Sequence, residues 1–357
     1  MDYERLVDEI EANYQKKHQL EGISFVGIKQ ADDQPVRYSS DDDNAVFSGM
    51  YLATASYRFA ARGTPADLAA VKNAVSGIRL LTHVSGTPGV LARQAFPIEG
   101  AFDRQGYDSV KSLESAGNTY GQHILAGRLY EHEGYAFLTK TTRDQLSGVL
   151  FGLTAAFTHV PEVRDDIKEI ISALITRFRS TNWSLVDHAG KTGTSAHKVD
   201  APQKLVIKAL HNAATGSDER AGSLFLRFIW LTTIHYNRII TRTFSFSLNA
   251  MDAHSLFLLS DFHKEKKGAR NWIKRIHRFM RKDKNPYFDA LYFASTGVEP
   301  DEDSLNHLAD RISSPIYPNF FSWQKDPDDW WVSSDRKTGP GIDAMLPYWM
   351  IRYYEVD

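Results

Sequence analysis

The sequence predicts an all-α fold, an (α/α)6 toroid with short β insertions in its loops, on three observations. Apolar residues recur at helical spacing through most of the chain. The helical stretches pair up across short loops. In each clear pair the first helix is apolar and rich in small residues, and the second is charged on one face. A helix surrounded by protein is apolar nearly all round, whereas an outer helix is amphipathic, so the pairs read as inner–outer hairpins closing on themselves. An open α-solenoid would carry near-identical repeats, and these pairs share no repeat motif. No Pro/Gly/Ser-rich linker divides residues 1–357, which read as a single domain.

The elements follow in order. "MDYERLVDEIEANYQKKH" is an acidic amphipathic helix without the apolar core of a signal peptide. The expectation is a cytoplasmic protein, or an exported one whose leader has been removed, and the sequence does not choose. After a polar connecting stretch, Val46, Met50, Ala53, Tyr57 and Ala60 mark a helix stopped by Gly63. Thr64 as N-cap and Pro65 at the first helical position start its partner. Residues 142–160 carry Leu146, Val149, Leu150, Leu153 and Phe157 on a core face, and Pro161 opens a helix with Ile167, Ile170, Ile171, Leu174 and Phe178. "NAMDAHSLFLLSDFHK" and "KKGARNWIKRIHRFMRK" form a further pair. Other helical stretches lie near 119–132, 203–215, 219–241, 285–296, 302–313 and 341–354, and "WSLVDHAGK" reads as a short strand and turn between hairpins.

Composition excludes several function classes. A formal net charge of −2 creates no global field for nucleic acid or an anionic membrane. Cysteine is absent, which removes disulfides, thiolate metal sites and a Cys nucleophile. The longest apolar run, "SLFLRFIWLTTIHY", is too short to span a bilayer and contains Arg227. HExxH, EF-hand, phosphate-loop, dinucleotide and GxSxG patterns are all missing, so no cofactor and no metal are expected.

The polar residues at helix entrances are the functional candidates. Thr142-Arg143-Asp144-Gln145 fits a capping box with Asp144 in the first turn, favoured there by the helix dipole. "SSDDDNAVFSG" leads three acids and Asn44 into another inner helix, more acids than a cap needs. If the inner helices all run the same way, Asp42, Asp43, Asn44, Arg143, Asp144 and Gln145 converge on one mouth. Two acids across a cleft suit acid–base work on a glycosidic bond. The Gly-rich loop "GTPGVLARQAF" presents Arg93, a fork for carboxylate or phosphate. "LVDHAGKTGTSAHK" gathers Asp187, His188, Lys191 and His197 in a loop, although Asp187 to Gly190 also reads as a simple Asx-type turn. Asp252 and His254 sit on an apolar helix, where polar residues face either a cavity or a hydrogen-bonded core. Trp330 and Trp331 lie in a loop near the C-terminus, where exposed indoles stack on sugar rings.

These blocks resemble a family of bacterial six-hairpin, (α/α)6-toroid proteins. "DDDNAVFSGMYLATASYRFAARG" and "VSGTPGVLAR" are similar to the family's D-N-x-x-x-(S/T)-G-M-Y-L-A and V-x-G-x-x-G-x-x-A-R blocks. "TTRDQLSGVLFGL", "WSLVDHAGKTGTSAH" and "LPYWMIRYYEV" resemble later blocks in the same order, with Gln145 where Glu is common and Ala189 where Asp is frequent. The family is largely uncharacterised and stands near unsaturated glucuronyl hydrolases and polysaccharide lyases. The resemblance implies two acids at the barrel mouth, at the positions of Asp43 and Asp144.

The expected function is a glycoside hydrolase acting on an oligosaccharide, uronate-containing by expectation, with Asp144 and Asp43 as the acid–base pair. Arg93 and Arg143 would bind a carboxylate. Asn44, Tyr120, Gln145, His188, His197, His254, Trp330 and Trp331 complete the expected substrate contacts. Two alternatives stay open: a polysaccharide lyase using Asn44, Arg93, His188 and Tyr120, and a non-catalytic toroid that binds a glycan or a partner protein.

Overall fold

The structure, a computed structural model, describes residues 2–25, 28–31, 34–38, 44–98, 129–139, 141–192, 197–218, 243–260, 266–281, 285–313 and 341–356. Among the described residues are eleven α-helices and seven short strands. The chain is mostly helical, as its periodicity predicts.

Helix α1 spans Tyr3–Lys17. α2 (Asn44–Arg62) is buried continuously from Asn44 to Arg58, as its small apolar residues require. Thr64 then accepts a hydrogen bond from Asp67 N at 3.2 Å and Pro65 opens α3 (Pro65–His83). α4 (Arg143–His159) is buried from Gln145 to Phe157, whereas its partner α5 (Arg164–Ser180) buries one stripe containing Ile167, Ile170, Ile171, Leu174 and Phe178. α6 is Ala201–Thr215, α7 Thr243–Leu258, α8 Lys266–Met280, α9 Pro286–Thr296, α10 Glu302–Ser313 and α11 Ile342–Val356. α8 buries Ala269, Trp272, Ile273, Ile276 and Met280, the spacing of an outer amphipathic helix.

Contacts run from α2 to α4, α4 to α6, α6 to α7, α7 to α9, α9 to α11, and from α11 back to α2. α3 packs against α5, and α1 against α10 and α11. The buried apolar residues form one continuous cluster from Val7 to Ile351.

The α2–α4 contact is made backbone to backbone. A Cβ on Gly49 would lie 1.9 Å from the Gly148 carbonyl oxygen, one on Gly148 2.6 Å from Val46 Cα, and one on Gly152 2.2 Å from the Gly49 carbonyl oxygen. The matching order, 46 with 148 and 49 with 152, makes the two helices parallel, so their N-terminal ends lie together.

Among the described residues three small antiparallel sheets interrupt the helices. β1 (Gln19–Leu20) pairs with β2 (Ile23–Ser24), and β3 (Ile28–Ala31) with β4 (Gln34–Tyr38). β5 (Gln94–Pro97), β6 (Leu129–His132) and β7 (Tyr135–Leu138) form a sheet ordered β5-β7-β6. This corrects the helix expected near 119–132, whose last four residues are strand β6. The reason is the Glu133-Gly134 turn, with φ 47° and 82°, a two-residue hairpin link of the kind that matches strand twist. The apolar run "SLFLRFIWLTTIHY" and residues 119–128 lie outside the described residues.

A buried ionic cluster ties α1, α2 and α3 together. Arg58, with its side chain 3% exposed, reaches Glu11 at 2.6 Å and Asp67 at 2.7 Å, and Tyr51 Oη donates to Glu11 at 2.5 Å. Arg62 adds a second guanidinium to Asp67 at 2.8 Å.

Candidate functional site

The site is built where the first turns of three helices meet. Pairing of β5 with β7 sets it up: Arg93 N donates to Leu138 O at 2.7 Å, and Ala45 N donates to Arg93 O at 3.0 Å. Arg93 is thereby fixed between the end of β7 and the start of α2. Four residues after β7, Thr142 begins the capping of α4, and Gln145 Oε1 accepts from Thr142 N at 2.9 Å. The third N-terminus is that of α6, capped by Asp200, whose Oδ1 accepts from Gln203 N at 3.0 Å. Gln203 Nε2 donates to Arg143 O at 2.7 Å and to Ser147 Oγ at 2.9 Å, stitching α6 to α4. Converging helix N-termini favour negative charge.

Among the described residues, Asp144, Asp200 and Asp252 bring carboxyls to this region. Burial raises the Asp144 pKa, against the pull of Arg93 and Arg143 and a hydrogen bond with Thr142. Asp200 is also raised by burial, opposed by the Gln203 N–H, Arg143 and Lys204. Its Oδ2 stands 3.8 Å from Arg143 Nη1, with side chains 34% and 45% exposed respectively. Asp252, on α7 and 3% exposed, accepts from Ser147 Oγ at 3.3 Å, while its Oδ1 has no hydrogen-bond partner. Burial and the Asp200 charge push Asp252 well above the carboxylate range, with Ser147 and Arg143 opposing. Tyr287 is raised by burial and by the Asp252 charge. Burial thus favours the protonated form of both carboxyls, and of Asp252 more strongly, since the Asp200 charge adds to it there.

The expected site residues divide accordingly. Asp144, Arg93 and Arg143 come together. Asn44 starts α2 beside Arg93, buried, and its carbonyl accepts from Ser48 Oγ at 2.7 Å. Gln145 is buried, and its amide oxygen also accepts from Thr142 Oγ1 at 2.6 Å, so its carboxamide serves the cap. Asp43, Tyr120, Trp330 and Trp331 lie outside the described residues.

His188 and His197 sit on the loop after α5. The His188 ring meets Tyr130 edge-on at 4.3 Å, and His197 O accepts from Leu185 N at 2.6 Å. Asp187 makes the Asx-type turn, its Oδ1 accepting from Lys191 N at 2.8 Å. A cavity of about 20 Å³ between this loop and Gly89, Leu91, Thr139 and Thr141 holds no more than one water.

His254 requires a correction. It is fully buried, its Nε2 lies 2.5 Å from Tyr57 Oη, and desolvation lowers its pKa to about 3. Tyr57 packs in turn on His159 at 4.8 Å and on Tyr353 at 5.8 Å. Tyr57 and His159 belong to the C-terminal halves of α2 and α4, so His254 is a neutral core residue rather than a ligand contact at the mouth.

Asp200 and Asp252 were absent from the expected site. Asp200 shows in the sequence only as a capping box, Asp-Ala-Pro-Gln, which its structure satisfies. Asp252 is visible as a lone acid on an apolar helix, but the direction it faces is not.

Among the described residues no group of His, Asp or Glu is arranged to hold a metal ion, and no helix is long and apolar enough to cross a membrane. Comparisons with protein-family models, with characterised proteins and with solved structures returned no match.

Proposed function

We propose that the chain is an (α/α)6 toroid and a glycoside hydrolase acting on a uronate-containing oligosaccharide at the mouth formed by α2, α4 and α6. The closed succession of contacts from α2 round to α11 and back supports the ring. One observation carries the function: Asp144, raised by burial, shares its surroundings with Arg93 and Arg143 where three helix N-termini meet. A carboxyl whose protonated form burial favours suits general acid work, and paired guanidiniums suit a carboxylate-bearing substrate.

In this reading Asp144 gives its proton to the glycosidic oxygen as the bond from the anomeric carbon to that oxygen breaks. Asp200, as the carboxylate, takes a proton from the water that attacks the anomeric carbon. Both carboxyls then exchange protons with solvent. Asp43 is the partner that the sequence suggests, and an Asp43→Asn protein beside Asp200→Asn separates the two choices of base.

The test is turnover of uronate-containing oligosaccharides by wild type, Asp144→Asn and Asp200→Asn, following new reducing ends and the ultraviolet absorbance of unsaturated uronates. The expected loss in Asp144→Asn is about 10²–10⁴-fold in a protein of unchanged circular dichroism. Absorbing products would replace hydrolysis by elimination. Glycan binding without turnover by any of the proteins would make the mouth a binding site.

A further inference from the structure

The α6 cap Asp200 and the α6 residues Lys204 and Lys208 follow at successive four-residue steps, so they share one stripe that starts at the candidate site. Lys204 Nζ and Lys208 Nζ stand 5.5 and 5.8 Å from the centre of the Trp183 ring. Lys198 joins them from the preceding loop, its Nζ donating to Ser184 Oγ at 2.8 Å and to Asn182 O at 3.2 Å. Among the described residues none of these three ammoniums has a carboxylate at ion-pair distance. Their partners are a ring face, a hydroxyl and a carbonyl. The Lys204 pKa is lowered by burial and then by the charges of Lys198 and Lys208, with Asp200 offsetting part of the effect.

The backbone that presents Trp183 is unusual as well. Asn182 and Trp183 both adopt left-handed conformations, with φ 51° and 57°. Two consecutive non-glycine residues there are uncommon and persist only where the surroundings hold them. Here Trp183 N donates to Phe178 O at 2.6 Å, and the indole stacks on the Phe178 ring at 6.2 Å. These Phe178 contacts hold the strained backbone and set the indole among three cations that repel one another.

We infer that Trp183, Lys198, Lys204 and Lys208 form a docking strip for an anionic polysaccharide chain, extending the mouth outward along α6. The polymer class rests on the hydrolase reading above, and the strip adds where the chain beyond the cleaved linkage runs. Carboxylate or sulfate groups spaced along a glycan would relieve the mutual repulsion of the three cations, and the indole, set between Phe178 and the two lysines, fixes where Lys204 and Lys208 stand.

The experiment is calorimetric titration of the full chain with long polygalacturonate fragments, with heparin fragments and with an uncharged cello-oligosaccharide, at low and high salt. The proteins are wild type, Lys204→Gln/Lys208→Gln and Trp183→Phe. The double variant is expected to bind one or both anionic fragments about 10-fold more weakly at low salt, with a flatter salt dependence. Trp183→Phe is expected to weaken binding without changing the salt dependence. Equal affinity of wild type and double variant for both anionic fragments overturns the strip, as does binding of the uncharged fragment as tight as that of the anionic ones. Lysine-dependent glycan binding by a protein that cleaves nothing keeps the strip and removes the hydrolase. Cleavage of short substrates with lysine-independent binding does the reverse.

Discussion

Asp144 stands where an ordinary helix cap would put an acid, and its surroundings rather than its position give it further use. Thr142 and Gln145 make the reciprocal contacts of the cap, and the Asp144 carboxyl adds hydrogen bonds with Thr142 and with its own backbone N–H. Its carboxyl faces Arg93 and Arg143 under a burial that favours the protonated form. A rate that needs this proton declines as pH rises through the raised pKa, and the descending limb of the kcat/KM profile is expected to lie above the usual carboxylate range. An Arg93→Lys protein keeps the charge but loses the planar fork, so KM for uronate substrates is expected to rise more than kcat falls. Asp252 gives a stability prediction. Its folded pKa is raised, so its contribution is fully present below the unfolded value and is lost as pH rises through the folded one. Asp252→Asn, which still offers an oxygen to Ser147, is expected to melt about 2 °C higher than wild type at alkaline pH, for about 1 kcal/mol, and no higher at acidic pH. Thermal melts across pH test this, and equal curves would place a counter-charge beside Asp252.

At the scale of elements, the close crossing of α2 and α4 decides where the site lies. Gly49, Gly148 and Gly152 let the backbones touch, and the parallel register brings the first turns together beside Arg93. Gly148→Ala would set a methyl 2.6 Å from Val46 Cα, where no flexible side chain can yield. The expected cost is about 3 kcal/mol, the upper end for overpacking, with loss of activity as Asp144 parts from Arg93, measured by urea unfolding and turnover. The Arg58 cluster fixes the outer elements. Arg58→Met would leave Glu11 and Asp67 buried without their shared cation, at an expected cost of about 3–5 kcal/mol. Burial alone would raise Asp67, but Arg62, Thr64 and Arg58 hold it below the ordinary value. Its contribution is therefore present at neutral pH and lost as pH falls through the folded pKa. Much of this level was legible in the sequence, because Thr64-Pro65, Gly63 and the Ile167–Phe178 spacing are local signals with local causes. The β5-β7-β6 sheet was not. Its strands have four residues each, too few for a period-2 pattern, and "ILAGRLYEH" fits a helical period until Glu133-Gly134 turns the chain. Asp200 was hidden for a related reason: a cap explains it fully, and only the third dimension puts Arg143 beside it.

For the whole molecule the decisive question is whether the helices close. In an open solenoid a terminal helix contributes one interface, and its loss leaves distant elements standing. Here α11 lies against α2 as well as α9 and α10, so the C-terminal helix is packed on one near the other end of the chain. Ile342, Met345, Leu346, Trp349 and Met350 are all buried, and Arg311 is ion-paired with Asp343. At about 1.5–3 kcal/mol for each large apolar side chain, removing them forfeits roughly as much as the 5–15 kcal/mol by which a domain is stable. A chain ending at Gly341 is therefore expected to lose cooperative urea unfolding altogether. Amide exchange in α2 is expected to become fast, although α2 lies at the other end of the sequence. Persistence of a cooperative transition with α2 still protected would open the ring, and with it the convergence of inner-helix N-termini on one mouth. The local meeting of α2, α4 and α6 would survive that result, because Ala45–Arg93 and Gln203–Arg143 hold it without α11.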